Sequence, residues 1–370
     1  MNTIIDGYIY QAQSNGGISR ILDNVLPIIC DLDPNLRIKL FTRSNLSKQL
    51  PSHKNISWWA LNSVNDYFRP WRIWRKSYPI LQNLFLKALI GKTKRKIWFS
   101  SYYSTPPFRW DGYQIVFVHD FIHERFSNLF PDSEQQIKRK REAILKADAI
   151  ICNSRTTAND LQNFYSIHEK RIFISELGVD HNFKKLSDDL ITKKVDFPFI
   201  LYLGKRKYYK GFDTLLSAYS SWKKNENIKI IVVGTSWSKE EETYIKCNNL
   251  ESKIILLSNV DDNELCDLYN QAKAFVYPSL YEGFGIPLLE AMACGCPIVA
   301  SRIPSTVEVA QDIPFYFNPG DVDELINTLH EVAENGRDSS KVKNGLTLVS
   351  QYSWENTASK ILDVFNLFLN

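Results

Sequence analysis

No run of about 18 apolar residues occurs anywhere in the 370-residue chain, so nothing in it reads as a membrane-spanning helix. The opening Met-Asn-Thr-Ile-Ile-Asp lacks a basic segment followed by an apolar one, and no signal peptide is expected. Cysteine is sparse: Cys30, Cys152, Cys247, Cys266, Cys294 and Cys296, with no C-x-x-C pair. That spacing argues against a zinc ribbon or a disulfide-stapled scaffold, and reduced thiols in a cytoplasmic setting are expected. There is no G-x-G-x-x-G, and Gly91-Lys92-Thr93 lacks the upstream glycine of a P-loop, since Leu86 stands there. Repeats and low-complexity tracts are absent too.

Acidic residues are missing from one long stretch. Between Tyr67 and Trp98 there are nine Lys or Arg and no Asp or Glu, interleaved with Phe68, Trp71, Trp74, Tyr78 and Phe85. The net charge of +4 for the whole chain therefore conceals a local basic block. Cations mixed with interfacial aromatics suit a peripheral contact with an anionic membrane, each cation contributing about 1 kcal/mol before screening. A solvated helix pair is the plainer alternative. A nucleic-acid strand is a third, but no nucleic-acid-binding module is recognisable and no such partner is expected.

What is present describes an ordinary globular protein, 44% apolar and 23% charged. At this length a single core stops growing, so two domains are expected. In the first half, apolar strands at Asn2–Asp6, Arg37–Phe41, Lys96–Phe99, Gln114–Val118 and Ala149–Cys152 alternate with helical patterns after Gly17 and around 133–147 and 154–165. A polar stretch from Lys184 to Asp196 precedes a restart of the pattern. Strands at Phe199–Leu203, Ile228–Val233, Lys253–Leu257, Ala274–Tyr277 and Pro297–Ala300 then alternate with helices at 212–224, 238–249, 262–272 and after Gly285. The last helix, Trp354–Leu369, is amphipathic. Strands alternating with helices predict an α/β protein with two doubly wound parallel sheets, with ligands at the carboxyl ends of the strands.

The densest signal lies in Pro278–Ser301. Gly283 and Gly285 open a tight loop, Pro287 suits a first helical turn, and Gly295 ends the helix. Glu282 lies in the loop and Glu290 one to two turns into the helix. Carboxylates beside a helix N-terminus that favours anions repel phosphate but accept hydrogen bonds from vicinal hydroxyls, so sugars are the fitting partners. Leu203–Gly211 closes a strand and opens a helix, placing Arg206 and Lys210 four residues apart at the carboxyl end of a strand, where an Arg can hold a phosphate bidentately. Gly16-Gly17, just after the first strand, lets a ligand approach the backbone at a helix start. Asp31-x-Asp33 and Asp321-x-Asp323 sit at helix termini, where capping explains them better than metal binding.

Glu282 and Glu290, with seven residues between them, resemble the E-x7-E motif of retaining glycosyltransferases of family 4. Tyr281-Glu-Gly-Phe-Gly-Ile-Pro-Leu-Leu-Glu-Ala-Met-Ala293 is close to that family's wording, and the likeness runs from Gly16-Gly17 to the C-terminal helix. It implies a GT-B fold, two facing Rossmann-like domains with the active site in the cleft between. Residues 1–184 become the acceptor-side domain, 197–352 the nucleotide-sugar domain, and 353–370 a helix crossing back to the first.

The resemblance assigns catalytic roles to Glu282, Arg206, Lys210 and His119, the last ending the strand Ile115–Val118 and contacting the donor sugar. Gly16, Gly17, Glu290, Gly283, Phe284 and Gly285 become donor-binding. The implied reaction is metal-independent transfer of a hexose, of mannosyl or rhamnosyl type with GDP-mannose as a fitting donor, from a nucleotide-sugar to a saccharide or lipid-linked acceptor in surface-polysaccharide assembly, with no cofactor. The protein is expected in the cytoplasm, peripheral to the inner face of the plasma membrane. Two other readings remain: a GT-B-like nucleotide-sugar epimerase, and a non-catalytic membrane- or nucleic-acid-binding protein built on 67–98.

Overall fold

Apolar runs without polar alternation fold here as parallel strands buried on both faces, as in Ala149–Cys152, Phe199–Leu203 and Ala274–Tyr277. The computed structural model describes residues 2–12, 16–43, 50–61, 96–106, 110–222 and 227–369. The chain divides into two units, Met1–Leu177 with Trp354–Asn370, and Gly178–Ser353.

The first unit holds strands β1 (Asn2–Asp6), β2 (Arg37–Arg43), β3 (Ile56–Leu61), β4 (Lys96–Ser100), β5 (Tyr113–Val118), β6 (Ala149–Cys152) and β7 (Ile172–Ile174). They form one parallel sheet in the order β3-β2-β1-β4-β5-β6-β7. The order reverses between β1 and β4, which pair from Asn2 with Lys96 to Ile5 with Phe99. Such a reversal opens the crevice in which doubly wound sheets hold ligands. The helix Gly17–Leu32 buries Leu22, Val25, Leu26 and Ile29 and packs beside the chain's last helix. The chain's last helix, Trp354–Leu369, belongs to the same unit, its Phe365 ring meeting Phe99 edge-on at 5.3 Å.

The second unit repeats the design with β8 (Phe199–Leu203), β9 (Lys229–Val233), β10 (Ile254–Leu257), β11 (Ala274–Tyr277), β12 (Ile298–Ser301) and β13 (Phe315–Phe317). Its parallel sheet runs β10-β9-β8-β11-β12-β13, with the reversal between β8 and β11. Phe212, Leu215, Tyr219 and Trp222 pack against Ile200, Tyr202 and Val232 on one face, joined by Leu325 and Leu329.

The first unit ends at Leu177 and not at 184. Phe183 meets Tyr269 edge-on at 6.1 Å, the Lys184 carbonyl accepts from Asn270 Nδ2 at 3.0 Å, and the Thr192 amide donates to Asp267 at 3.1 Å. All three partners stand on the helix Asp262–Gln271. The polar stretch is thus tied to the second unit. Strands β3, β7 and β13 were absent from the sequence pattern, the last two being three residues long, too short for a period to show. The basic block lies outside the described residues through Arg95. Among the described residues no helix is long and apolar enough to cross a membrane.

Candidate active site

In the second unit the two strands flanking the reversal deliver the expected residues. β8 leads into Gly204–Lys210, and β11 into Pro278–Gly285. The loops touch because Gly211 has no side chain: a Cβ there would stand 1.9 Å from the Pro278 carbonyl oxygen, and its φ is +66°. The Leu280 amide donates to the Tyr209 carbonyl at 2.7 Å, fixing the register of the approach. Lys210 Nζ then reaches Glu282 Oε1 at 2.6 Å.

Glu282 is 7% exposed, a depth at which an unpaired carboxylate would be costly. Its Oε1 also accepts from Ser279 Oγ at 2.6 Å, and the Tyr277 hydroxyl bonds the same side chain. Burial first, and the Glu282 charge second, push the Tyr277 phenol far above its ordinary value, so it stays a donor. Tyr202 is raised for the same two reasons in the same order. Lys210 remains on the more open side, its side chain 22% exposed.

Gly285, φ +117°, is the N-cap of the helix Ile286–Ala293. Phe284 is buried against Tyr352 at 6.1 Å, and Gly283 is buried with it. Glu290 stands on a buried face of this helix, 3% exposed, with Tyr269 donating to its Oε2 at 3.2 Å. Gly295, φ +62°, closes the helix: its amide bonds Met292 O at 3.0 Å and that of Cys296 bonds Ala291 O at 2.9 Å.

Arg206 departs from expectation. Its Nε and Nη2 donate to Glu241 at 2.7 and 3.2 Å, and Nη2 also to the Thr235 and Ser236 carbonyls at 2.9 and 2.7 Å. The guanidinium lies 4.6 Å from the Trp237 ring centroid. Only Nη1 is left without a partner among the described residues, beside Gly234, whose own Cβ would stand 2.8 Å from it. The planar fork that fits a phosphate is here engaged by a carboxylate and two carbonyls, and it braces the loop after β9. Lys205 and Lys207 are exposed.

In the first unit, Gly16 is the N-cap of the helix Gly17–Leu32 at φ −170°, extended backbone open to any residue. Gly17 is exposed, and a Cβ there would meet nothing within 4 Å. Local packing does not demand a glycine at position 17. His119 follows β5, 6% exposed, with Nε2 3.0 Å from the Ser101 carbonyl. A carbonyl only accepts, so Nε2 carries the proton and Nδ1 presents a lone pair. Nδ1 has no partner among the described residues. Burial lowers the His119 pKa from the ordinary 6.5, outweighing the Ser101 hydrogen bond and the Asp120 charge, and the ring is neutral.

Residues 184–362 match the family model described as glycosyl transferases group 1. Residues 184–362 are a group 1 glycosyl transferase domain. Over 174 residues, 46% of each chain, the protein is 32% identical to the O-antigen chain mannosyltransferase B of Escherichia coli. Over 273 residues, 74% of each, it is 25% identical to the O-antigen chain mannosyltransferase RfbU of Salmonella typhimurium. The match thus spans just under half the length of the first relative. The crystal structure of WaaG, a glycosyltransferase involved in lipopolysaccharide biosynthesis, superposes with a TM-score of 0.73 at 16% identity over 99% of each chain. The fold is GT-B.

Within the group 1 domain the structure joins Lys210 to Glu282, Arg206 to Glu241 and Glu290 to the Tyr269 hydroxyl. Sequence reasoning missed Glu241, Ser279 and Tyr277. Glu241 carried a signal: Ser238-x-x-Glu241 has capping-box spacing, and that box forms at the helix Lys239–Cys247. Ser279 and Tyr277 flank the motif but carry no spacing rule of their own.

Proposed function

We propose that this protein is a retaining glycosyltransferase that moves a hexose from a nucleoside-diphosphate sugar to a saccharide or lipid-linked saccharide acceptor during surface-polysaccharide assembly. The observation that carries this reading is the Lys210–Glu282 pair, held 2.6 Å apart at the strand-order reversal of the group 1 domain. A mannose-type donor is supported by the names of the two relatives.

As the diphosphate departs, charge grows on its oxygen, and Lys210 is the cation placed beside it. A group in this position is worth a few kcal/mol of barrier. Glu282, acceptor-only and oriented by Ser279 and Tyr277, fits a sugar hydroxyl, and Glu290 a ribose hydroxyl. Arg206, braced by Glu241, adds a fixed positive charge beside the same strand ends. Gly16, Gly17 and His119 keep the donor-side roles that the family likeness gives them. The acceptor hydroxyl attacks the anomeric carbon from the face that the diphosphate leaves: the bond to the phosphate oxygen breaks, the bond to the acceptor oxygen forms, and the acceptor proton passes to the leaving phosphate. Lys210 and the helix N-termini supply positive charge, so the step is written without a metal.

The test is the anomeric configuration of the product, read by proton NMR after incubation with GDP-mannose and a mannoside acceptor. The donor's α configuration is expected in the product. A β product would overturn the retaining reading.

A further inference from the structure

We infer that the stacked rings of Tyr8 and Tyr102 form the platform on which the first unit docks a saccharide ring of the acceptor. The inference rests on the transferase reading for the word acceptor, while the platform itself is read from the first unit alone.

Tyr8 follows β1 and Tyr102 follows β4, the two strands at which the order of the first sheet reverses. That is where a doubly wound sheet presents its ligand crevice. The rings lie 6.1 Å apart and 10° from parallel. Tyr8 is 37% exposed, and Tyr102 is half-buried. An open stack contributes little to a core, yet the protein fixes it from both sides.

The fixing group is Asp6. It is 4% exposed, and its Oδ1 accepts from the Tyr8 amide at 3.3 Å while Oδ2 accepts from the Ser101 amide at 2.8 Å. Ser101 Oγ returns a bond to the Asp6 carbonyl at 3.0 Å. One carboxylate therefore orients both tyrosine-bearing loops. Tyr103 completes the geometry at φ +58°, a left-handed conformation that a bulky side chain adopts only when its surroundings impose it. Its ring turns inward, 7% exposed, and its hydroxyl accepts from the His119 amide at 3.4 Å.

A sugar ring has one face of C–H groups and a rim of hydroxyls. Parallel tyrosines offer an apolar face for the first and hydroxyl tips for the second.

The test measures saccharide binding and donor turnover on the same proteins. Wild type, Tyr8→Ala, Tyr8→Phe and Tyr102→Ala are titrated by saturation-transfer NMR with methyl glycosides and disaccharides of mannose, rhamnose, galactose and N-acetylglucosamine. Release of nucleoside diphosphate from GDP-mannose without acceptor is followed in parallel. Both alanine variants are expected to weaken binding about tenfold or more, Tyr8→Phe to stay within about twofold, and donor turnover to stay within about twofold in all. Unchanged binding by Tyr8→Ala, which is exposed enough to leave the fold intact, overturns the inference, as does a wild type that binds no saccharide. If wild type binds a saccharide through Tyr8 but turns over no donor, the platform stands and the transferase reading fails.

Discussion

Lys210 and Glu282, 72 residues apart in sequence, meet with Nζ 2.6 Å from Oε1. The contact depends on a glycine, because only a residue without Cβ lets the loop after β8 lie against the Pro278 carbonyl. Lys210→Met and Glu282→Gln are each expected to lower donor turnover about 100-fold or more, the cost of removing a charge aimed at the transition state. The double variant should lose far less than the product of the two, since each residue acts with the other. Initial rates of nucleotide release measure both.

Gly211→Ala should destabilise the protein by at least about 2 kcal/mol, because the new methyl group meets a carbonyl oxygen and the residue must hold φ +66°. Urea unfolding followed by circular dichroism would show a lower midpoint with an unchanged slope.

Gly17→Ala should do the opposite to stability. The site is open and sits in the first turn of a helix, where alanine gains up to about 1 kcal/mol over glycine. Donor KM is nevertheless expected to rise if the ligand approaches this backbone closely. A raised melting temperature with an unchanged KM would remove Gly17 from the donor site.

Arg206 and Glu241 are expected to behave as one unit. Their side chains are 4% and 11% exposed, so cutting either partner leaves a poorly solvated charge. A double-mutant cycle with Arg206→Met and Glu241→Gln should return a coupling of about 1 kcal/mol or more in stability. Additive losses would show that the pair is incidental.

His119 predicts a pH dependence. Its folded-state pKa lies below 6.5, so below pH 6.5 the unfolded chain binds the proton more readily than the native protein. Its contribution to stability is complete above 6.5 and lost as pH falls toward the folded value, at up to about 1.4 kcal/mol per pH unit. Asp6 works in the other direction: burial raises its carboxyl from 3.8, so its contribution is complete below that value and fades as pH rises through the folded one. Comparing wild type with His119→Gln from pH 7 to pH 5 isolates the histidine, and the variant should lose less stability on acidification.

Most of the longer strands were legible because parallel sheets bury both faces and leave uninterrupted apolar runs such as Phe199–Leu203, whereas the six-residue edge strand Ile56–Leu61 was not. Trp354–Leu369 showed its full length through an amphipathic period. Short edge strands gave no such signal, and β7 and β13 are held by their neighbours in the sheet. Site residues at strand ends, Lys210 and Glu282 among them, are visible where glycines break the pattern. Their partners are not: Glu241 reaches Arg206 and Asp6 reaches Ser101 only through tertiary approach, across 35 and 95 residues. The same limit hides the Glu241 partner of Arg206, which a linear reading cannot see.

The most direct measurement is the release of nucleoside diphosphate from a panel of GDP-, UDP-, dTDP- and ADP-sugars by the purified protein in EDTA, with Glu282→Gln and Lys210→Met beside the wild type. The account predicts one donor that raises the melting temperature of the wild type and is turned over only when both residues are present. A wild type that neither binds nor hydrolyses any of these donors, or a Glu282→Gln variant as active as the wild type, would contradict it.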